Sequence, residues 1–223
     1  METKVIVFDF DNCIALNERT GEGSEEIKDR AWFEVFPECD PQKLDVIIEQ
    51  VQQEIAGGKG DRKDIALRVL SHFDLVVEEN MSDELARRCG RFDEVVQHGI
   101  RLLGISPTAV STLNKLSEEY LLYINTATPR ETILETLEAA GLTCFLGVYG
   151  RPGTKVSNLW DIASMEGICF GKMLFVGDMP GDRDAAKQVG CRFIGIRTKR
   201  NTEWHAPQPF LVLRSIAELK KVL

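Results

Sequence analysis

No stretch of this 223-residue chain is apolar for long enough to cross a membrane as a helix, so a helical membrane span is not expected. Positive charge is in the minority: 27 Lys and Arg face 35 Asp and Glu, and the resulting net charge of −8 argues against a nucleic acid or an anionic membrane surface as main partner. Cysteine is sparse and scattered. Cys13, Cys39, Cys89, Cys144, Cys169 and Cys191 form no C-x-x-C pair, which excludes a disulfide framework or a thiolate zinc site as the leading reading and predicts reduced, mostly buried thiols. Histidine is rarer still, and His72, His98 and His205 have no ligand spacing. A strand beginning by Val5 leaves no room for a secretory leader in this reading, and a cytoplasmic location is expected. Internal repeats and low-complexity tracts are also missing.

What is present is the composition of an ordinary globular protein, 43% apolar and 28% charged, with enough length for one sizeable core plus a smaller insertion. Short β-branched or aromatic runs predict strands at Val5–Phe8, Tyr120–Ile124, Phe145–Tyr149, Met173–Val176, Phe193–Ile196 and Phe210–Leu213. Helical patterns at Thr108–Ser117, Pro129–Ala140, Thr154–Met165 and Asp182–Val189 lie between them, with Thr128 as an N-cap and Pro129 at the first helical position. Strands alternating with helices predict an α/β fold with a Rossmann-like, mostly parallel sheet. Residues 17–104 break that rhythm. They hold amphipathic helical segments near Glu25–Phe36, Gln42–Ile55, Arg62–Phe73 and Ser82–Gln97, separated by the loop signals "ECDP" and "AGGKGDR". The expected organisation is a core from residues 1–16 and 105–223 with an all-helical cap domain, 17–104, inserted in it. Trp32, Phe33 and Phe36 read as the core of that insertion, and Trp160 as helix–sheet packing.

The first strand runs directly into two carboxylates, Asp9 and Asp11, with Phe10 between them. In an open parallel sheet, chemistry collects beyond the carboxyl ends of the strands. Other strand ends bring Thr126 in "YINTATP", Lys155 in "YGRPGTK", and Asp178 and Asp182 in "LFVGDMPGD" to the same edge. Clustered carboxylates do not all ionise cheaply without a cation among them, and oxygen-only ligands suit a hard divalent ion such as Mg²⁺, which often also holds a substrate phosphate. Lys155 is suited to neutralising a phosphoryl oxygen.

In this order the motifs "DFDNC", "INTATP", the lysine of "GRPGTK" and "GDMPGDRDAA" resemble those of the haloacid dehalogenase-like hydrolases, over nearly the whole chain. The helical insertion is similar to the cap of the phosphoglycolate phosphatase and β-phosphoglucomutase branch, whose cap segment carries an arginine, here Arg62 in "GKGDRKDIALRVL". The resemblance implies a Mg²⁺-dependent phosphatase acting on a small-molecule phosphate ester. Asp9 is then the nucleophile that forms an aspartyl-phosphate and Asp11 the general acid and base. Thr126 and Lys155 hold the phosphoryl oxygens. Asp9, Asp178 and the main-chain carbonyl of Asp11 bind the metal, with Asp182 in or beside its shell. The chain departs from the commonest family pattern at Asn12-Cys13, where Gly-Thr is usual, and at Met179. Retention of Asp11 argues against a dehalogenase.

Each residue also has a plainer reading. Asp182 at a helix start stabilises the helix dipole, Arg62 reads equally as a substrate contact from the cap and as a solvated helix start, and Thr126 or Lys155 alone would be ordinary surface or strand-end polarity. Only their occurrence as a set promotes them. "GGKGDR" lacks the spacing of a phosphate-binding loop and sits between helices. Three competing functions stay open beside a phosphatase: a sugar phosphomutase with the same groups, a signalling receiver domain, and a non-catalytic relative that binds a phosphorylated ligand. The receiver fold would place its aspartate on a middle strand and carry no such insertion.

Overall fold

The computed structural model describes residues 2–18, 20–55, 60–128 and 130–223. Among them, six strands form one sheet: β1 (Val5–Phe8), β2 (Leu121–Asn125), β3 (Phe145–Tyr149), β4 (Met173–Gly177), β5 (Arg192–Ile196) and β6 (Leu211–Leu213). Their order is β3-β2-β1-β4-β5-β6, and every neighbouring pair is parallel. The α-helices are α1 (Ser24–Val35), α2 (Pro41–Glu54), α3 (Arg62–His72), α4 (Met81–Leu103), α5 (Pro107–Leu116), α6 (Arg130–Ala139), α7 (Lys155–Met165) and α8 (Pro180–Val189). Each strand lies within about a residue of its sequence expectation, because runs such as Val5–Phe8 are apolar on both sides and suit a sheet covered on both faces. Pro129, expected at the start of α6, lies outside the described residues.

Alternation along β1 divides the core. Ile6 and Phe8, with Leu122, Ile124, Leu174 and Val176, face Ala109, Leu113 and Leu116 of α5 and Ile133 and Leu137 of α6. Val5 and Val7, with Tyr123, Met173 and Phe175, face Leu159, Ile162 and Ala163 of α7 and Ala185, Ala186 and Val189 of α8. The four β1 side chains are fully buried, and each contributes roughly 1.5–3 kcal/mol by leaving water. The expectation that Trp160 packs between helix and sheet is not met. It stands about 100° round the helix from buried Leu159, is 55% exposed, and lays its ring edge-on to Phe170.

Strand order reverses at β1: β2 and β3 build outward on one side, β4 to β6 on the other. Such a switch point is where open parallel sheets bind ligands. Phe8 pairs with Ile124 of β2 and Val176 of β4, so these strands end level, and the residues that follow them emerge at one height.

The chain divides into two compact units, residues 1–25 with Ile100–Leu223, and Glu26–Gly99. The boundary expected at residue 17 therefore moves, and a local hydrogen-bond pattern accounts for it. Leu16 and Gly23 form an antiparallel bridge, Asn17 N–H donates to Glu22 O at 2.7 Å, and Glu25 N–H donates to Asn12 Oδ1 at 3.0 Å. These bonds keep the segment with the core. In the helical unit, Trp32 stacks on Phe92 with ring centroids 4.2 Å apart, and the guanidinium of Arg88 lies over Phe36 while bonding Glu84, Glu38 and the Val35 carbonyl. Phe33 is only partly buried there. The helices α2 and α3 begin as their sequences demand, with Asp40 before Pro41 and with Asp61 and Asp64 in a reciprocal cap.

Asn12 adopts φ +54°, a left-handed conformation that asparagine tolerates, and its carboxamide fills the space beside Gly23. A Cβ on Gly23 would lie 2.0 Å from Asn12 Oδ1. Gly23→Ala should therefore destabilise the protein by about 1–3 kcal/mol, or a loss of roughly 2–4 °C in Tm per kcal/mol. Because Asn12→Gly removes the obstruction, the double variant should lose less than the sum of the single variants in calorimetry. Additive losses would show that the contact does not limit this turn.

Candidate active site

Asp9 continues the β1 ladder, its N–H donating to Val176 O at 2.8 Å. Phe10 follows Ile6 and Phe8 into the core and is fully buried, while its carbonyl accepts from the N–H groups of Ile14 and Ala15 at 3.0 Å each. The buried phenylalanine thus pins the turn between the two carboxylates, and the turn separates their surroundings.

The first carboxylate belongs to a charged cluster at the switch point. Lys155 opens α7, whose start is fixed by a reciprocal Thr154–Ser157 cap with Ser157 N–H to Thr154 Oγ1 at 3.0 Å. Its main chain is held from β2, where Asn125 Nδ2 donates to Lys155 O at 2.8 Å and Asn125 Oδ1 accepts from Asn158 at 2.9 Å. So placed, Lys155 Nζ bonds Asp9 Oδ1 at 2.9 Å and also Asp182 Oδ1. Asp182, in the first turn of α8, uses its other oxygen to accept from Met179 N–H at 3.0 Å. Gly177 makes this possible, since a Cβ there would sit 2.5 Å from the Asp182 carboxylate.

Asp178, at the end of β4, is different. It is buried, and neither of its carboxylate oxygens has a hydrogen-bond partner. Leaving such a charge unpaired costs several kcal/mol. Asp9, Asp178 and Asp182 each offer one oxygen within 4.8 Å of the others. That set of hard oxygen donors, one member with no other partner, fits a divalent cation such as Mg²⁺, which favours carboxylate ligands. The Asp9 carboxyl is raised to about 8: burial is the largest cause, Lys155 opposes it, and Asp182 and Asp11 add to the rise. Burial likewise raises Asp178 well above the usual carboxylate range, helped by Asp9 and Asp182. Lys155 moves upward because the attraction of Asp182 and Asp9 exceeds the opposing effect of its burial.

Asp11 turns to hydroxyl groups instead. Ser24 Oγ donates to its Oδ1 at 2.6 Å, Thr128 Oγ1 to its Oδ2 at 2.5 Å, and Thr126 Oγ1 approaches Oδ2 at 3.4 Å. Thr126 also accepts from Thr128 N–H at 3.1 Å. The sequence reading took Thr128 only as a helix cap; its hydroxyl is directed to Asp11. Ser24 was not singled out at all, because a buried serine ahead of an acidic helix reads as a cap. The structure thus brings together Asp9, Asp11, Thr126, Lys155, Asp178 and Asp182, all in the α/β unit. Arg62 belongs to the helical unit, where it pairs with Asp93 of α4 at 2.8 Å. Residues 56–59 of the "AGGKGDR" loop lie outside the described residues, and the six cysteines are free thiols.

No family model matches the sequence, and no curated protein is similar enough to match it. Solved structures do. The HAD-hydrolase YfnB of Bacillus subtilis, described as bound to magnesium, superposes with a TM-score of 0.70 at 16% identity, over 100% of this chain and 99% of its own. A predicted phosphoglycolate phosphatase from Haemophilus somnus gives 0.68 at 18% identity, covering 100% and 98%. The 2-haloacid dehalogenase of Pseudomonas syringae gives 0.64 at 20% identity, covering 99% and 97%. The α/β sheet with its level carboxyl ends and its interrupting helices therefore has the fold of the haloacid dehalogenase-like hydrolases, which phosphatases and a dehalogenase have in common.

Proposed function

We propose that this protein is a Mg²⁺-dependent phosphatase that hydrolyses a small-molecule phosphate monoester through an aspartyl-phosphate on Asp9. The observation that carries this reading is the buried carboxylate of Asp178, unpartnered within 4.8 Å of oxygens of Asp9 and Asp182, beside a lysine.

Asp9, Asp178 and Asp182 are the residues that would hold the cation. Bound there, it would offset negative charge on the carboxylates and on the phosphoryl oxygens. The chain's own residues carry the steps. An Asp9 carboxylate oxygen bonds to phosphorus as the ester P–O bond breaks, and the electron pair leaves with the ester oxygen. Asp11 delivers a proton to that oxygen. Asp11 then takes a proton from water, whose oxygen bonds to phosphorus and frees Asp9 with release of inorganic phosphate. Thr126 and Lys155 bind phosphoryl oxygens, and the hydroxyls of Ser24 and Thr128 orient the Asp11 carboxylate. The ammonium of Lys155, already beside Asp9, exchanges part of that ion pair for the incoming phosphate.

A panel of alkyl, sugar and aryl phosphates should reveal phosphate release that requires Mg²⁺ and stops in chelator. Asp9→Asn should reduce it to background, and Asp11→Asn should lower kcat by about a hundred- to ten-thousand-fold on alkyl esters. Undiminished release by Asp9→Asn would remove the proposed nucleophile, and no release from any ester would remove the phosphatase.

A carboxyl whose folded-state pKa exceeds its unfolded value stabilises the fold fully below the unfolded pKa. That contribution is lost as pH rises through the folded one. For Asp9 the window runs from 3.8 to about 8. The Tm of the protein in chelator should consequently fall as pH rises across this range. Asp178→Asn, which removes one of the repelling charges, should flatten the fall and raise Tm at pH 8 by roughly 2–4 °C for each kcal/mol relieved. A lower Tm for this variant at pH 8 would contradict the repulsion inferred for the cluster.

A further inference from the structure

Asn201 lies in the loop after β5, outside every motif so far considered, and it is fully buried. Its carboxamide is saturated by main-chain groups. Nδ2 donates to the carbonyl of Ile196 at 2.8 Å and to the carbonyl of Asp178, while Oδ1 accepts from Thr198 N–H at 2.8 Å. The Asp178 bond has a particular consequence. The carbonyl of Asp178 and the N–H of Met179 belong to one peptide group, and that N–H is held by Asp182 Oδ2 at 3.0 Å. The peptide plane is gripped at both ends, by Asn201 on its oxygen and Asp182 on its nitrogen. Holding that plane places the Cα of Asp178, the point from which its side chain, with two unpartnered oxygens, projects.

We infer that Asn201 is a positioning residue for the divalent-cation site: it orients Asp178 through the main chain without touching cation or substrate. The inference rests on the metal reading proposed above. Side chains that orient metal ligands typically alter affinity by about 10- to 100-fold when removed. Asn201 differs from the usual case because it acts on the ligand's peptide group and leaves the carboxylate itself free for the cation. The same loop is tied elsewhere by bonds that do not reach Asp178, such as Arg200 N–H to Thr198 Oγ1 at 3.2 Å. These provide an internal control.

The test is calorimetric titration of Mg²⁺ into the metal-free protein, with Asn201→Ala, the milder Asn201→Ser, and Thr198→Val alongside the unaltered protein. Both Asn201 variants should bind Mg²⁺ about 10- to 100-fold more weakly. Thr198→Val, which loosens the loop but spares the Asp178 bond, should bind within about twofold of the unaltered protein even where its Tm falls. Mg²⁺ binding by the Asn201 variants at unaltered strength overturns the inference and leaves the phosphatase reading standing. Equal weakening by Thr198→Val also overturns it, because loop integrity alone would then account for the effect. If the unaltered protein takes up no Mg²⁺, the metal reading itself fails and the positioning role fails with it. Asn201→Ser decides the matter if Asn201→Ala does not fold.

Discussion

Among the described residues, the ammonium of Lys155 bonds two of the buried carboxylates at the switch point, Asp9 and Asp182. Much of the surrounding architecture can be understood as placing that one charge. The Thr154–Ser157 cap starts α7 at Lys155, Asn125 at the end of β2 holds its main chain, and Asn158 in turn holds Asn125. The lysine still leaves Asp178 without a partner. Fully ionised, the three close carboxylates would outnumber that one positive charge, and an added divalent cation would relieve their repulsion.

The two aspartates after β1 are two residues apart yet live in separate environments. Asp9 is surrounded by charge and Asp11 by hydroxyls. Phe10 is the reason, since its burial turns the chain between them. The proposed nucleophile and proton carrier would need different surroundings, and a single apolar anchor separates the two carboxylates. Ser24, which bonds Asp11, is also the first residue of α1, so that helix begins directly at a partner of Asp11.

Much of this was legible in the sequence. Val5–Phe8 and Met173–Val176 read as buried strands because their apolar runs have no other good home, and the polar residues after them marked the functional edge. Asp9, Asp11, Thr126, Lys155, Asp178 and Asp182 were identifiable as a set for that reason. Ser24, Thr128, Asn125 and Asn201 were not. Each is a short polar side chain whose decisive partner lies elsewhere in the fold, and nothing in local periodicity distinguishes it from a cap or a turn. A serine or asparagine at a strand end or helix start has many local uses. The shift of the unit boundary from residue 17 to 26 has the same origin, since the Asn12 carboxamide that holds Glu25 N–H is invisible to composition.

The sheet order has a kinetic corollary. The Lys155–Asp9 pair spans 146 residues of chain, and Cys13 meets the carbonyl of Val176 across 163. Contacts of such long range form late, because loop closure must precede any reward from pairing. During synthesis Asp9 is made well before β4 and the segment bearing Asn201, and its surroundings are completed only when these have emerged. Nascent chains therefore carry Asp9 on an unfinished sheet, and the charged cluster assembles together with the closing of the core.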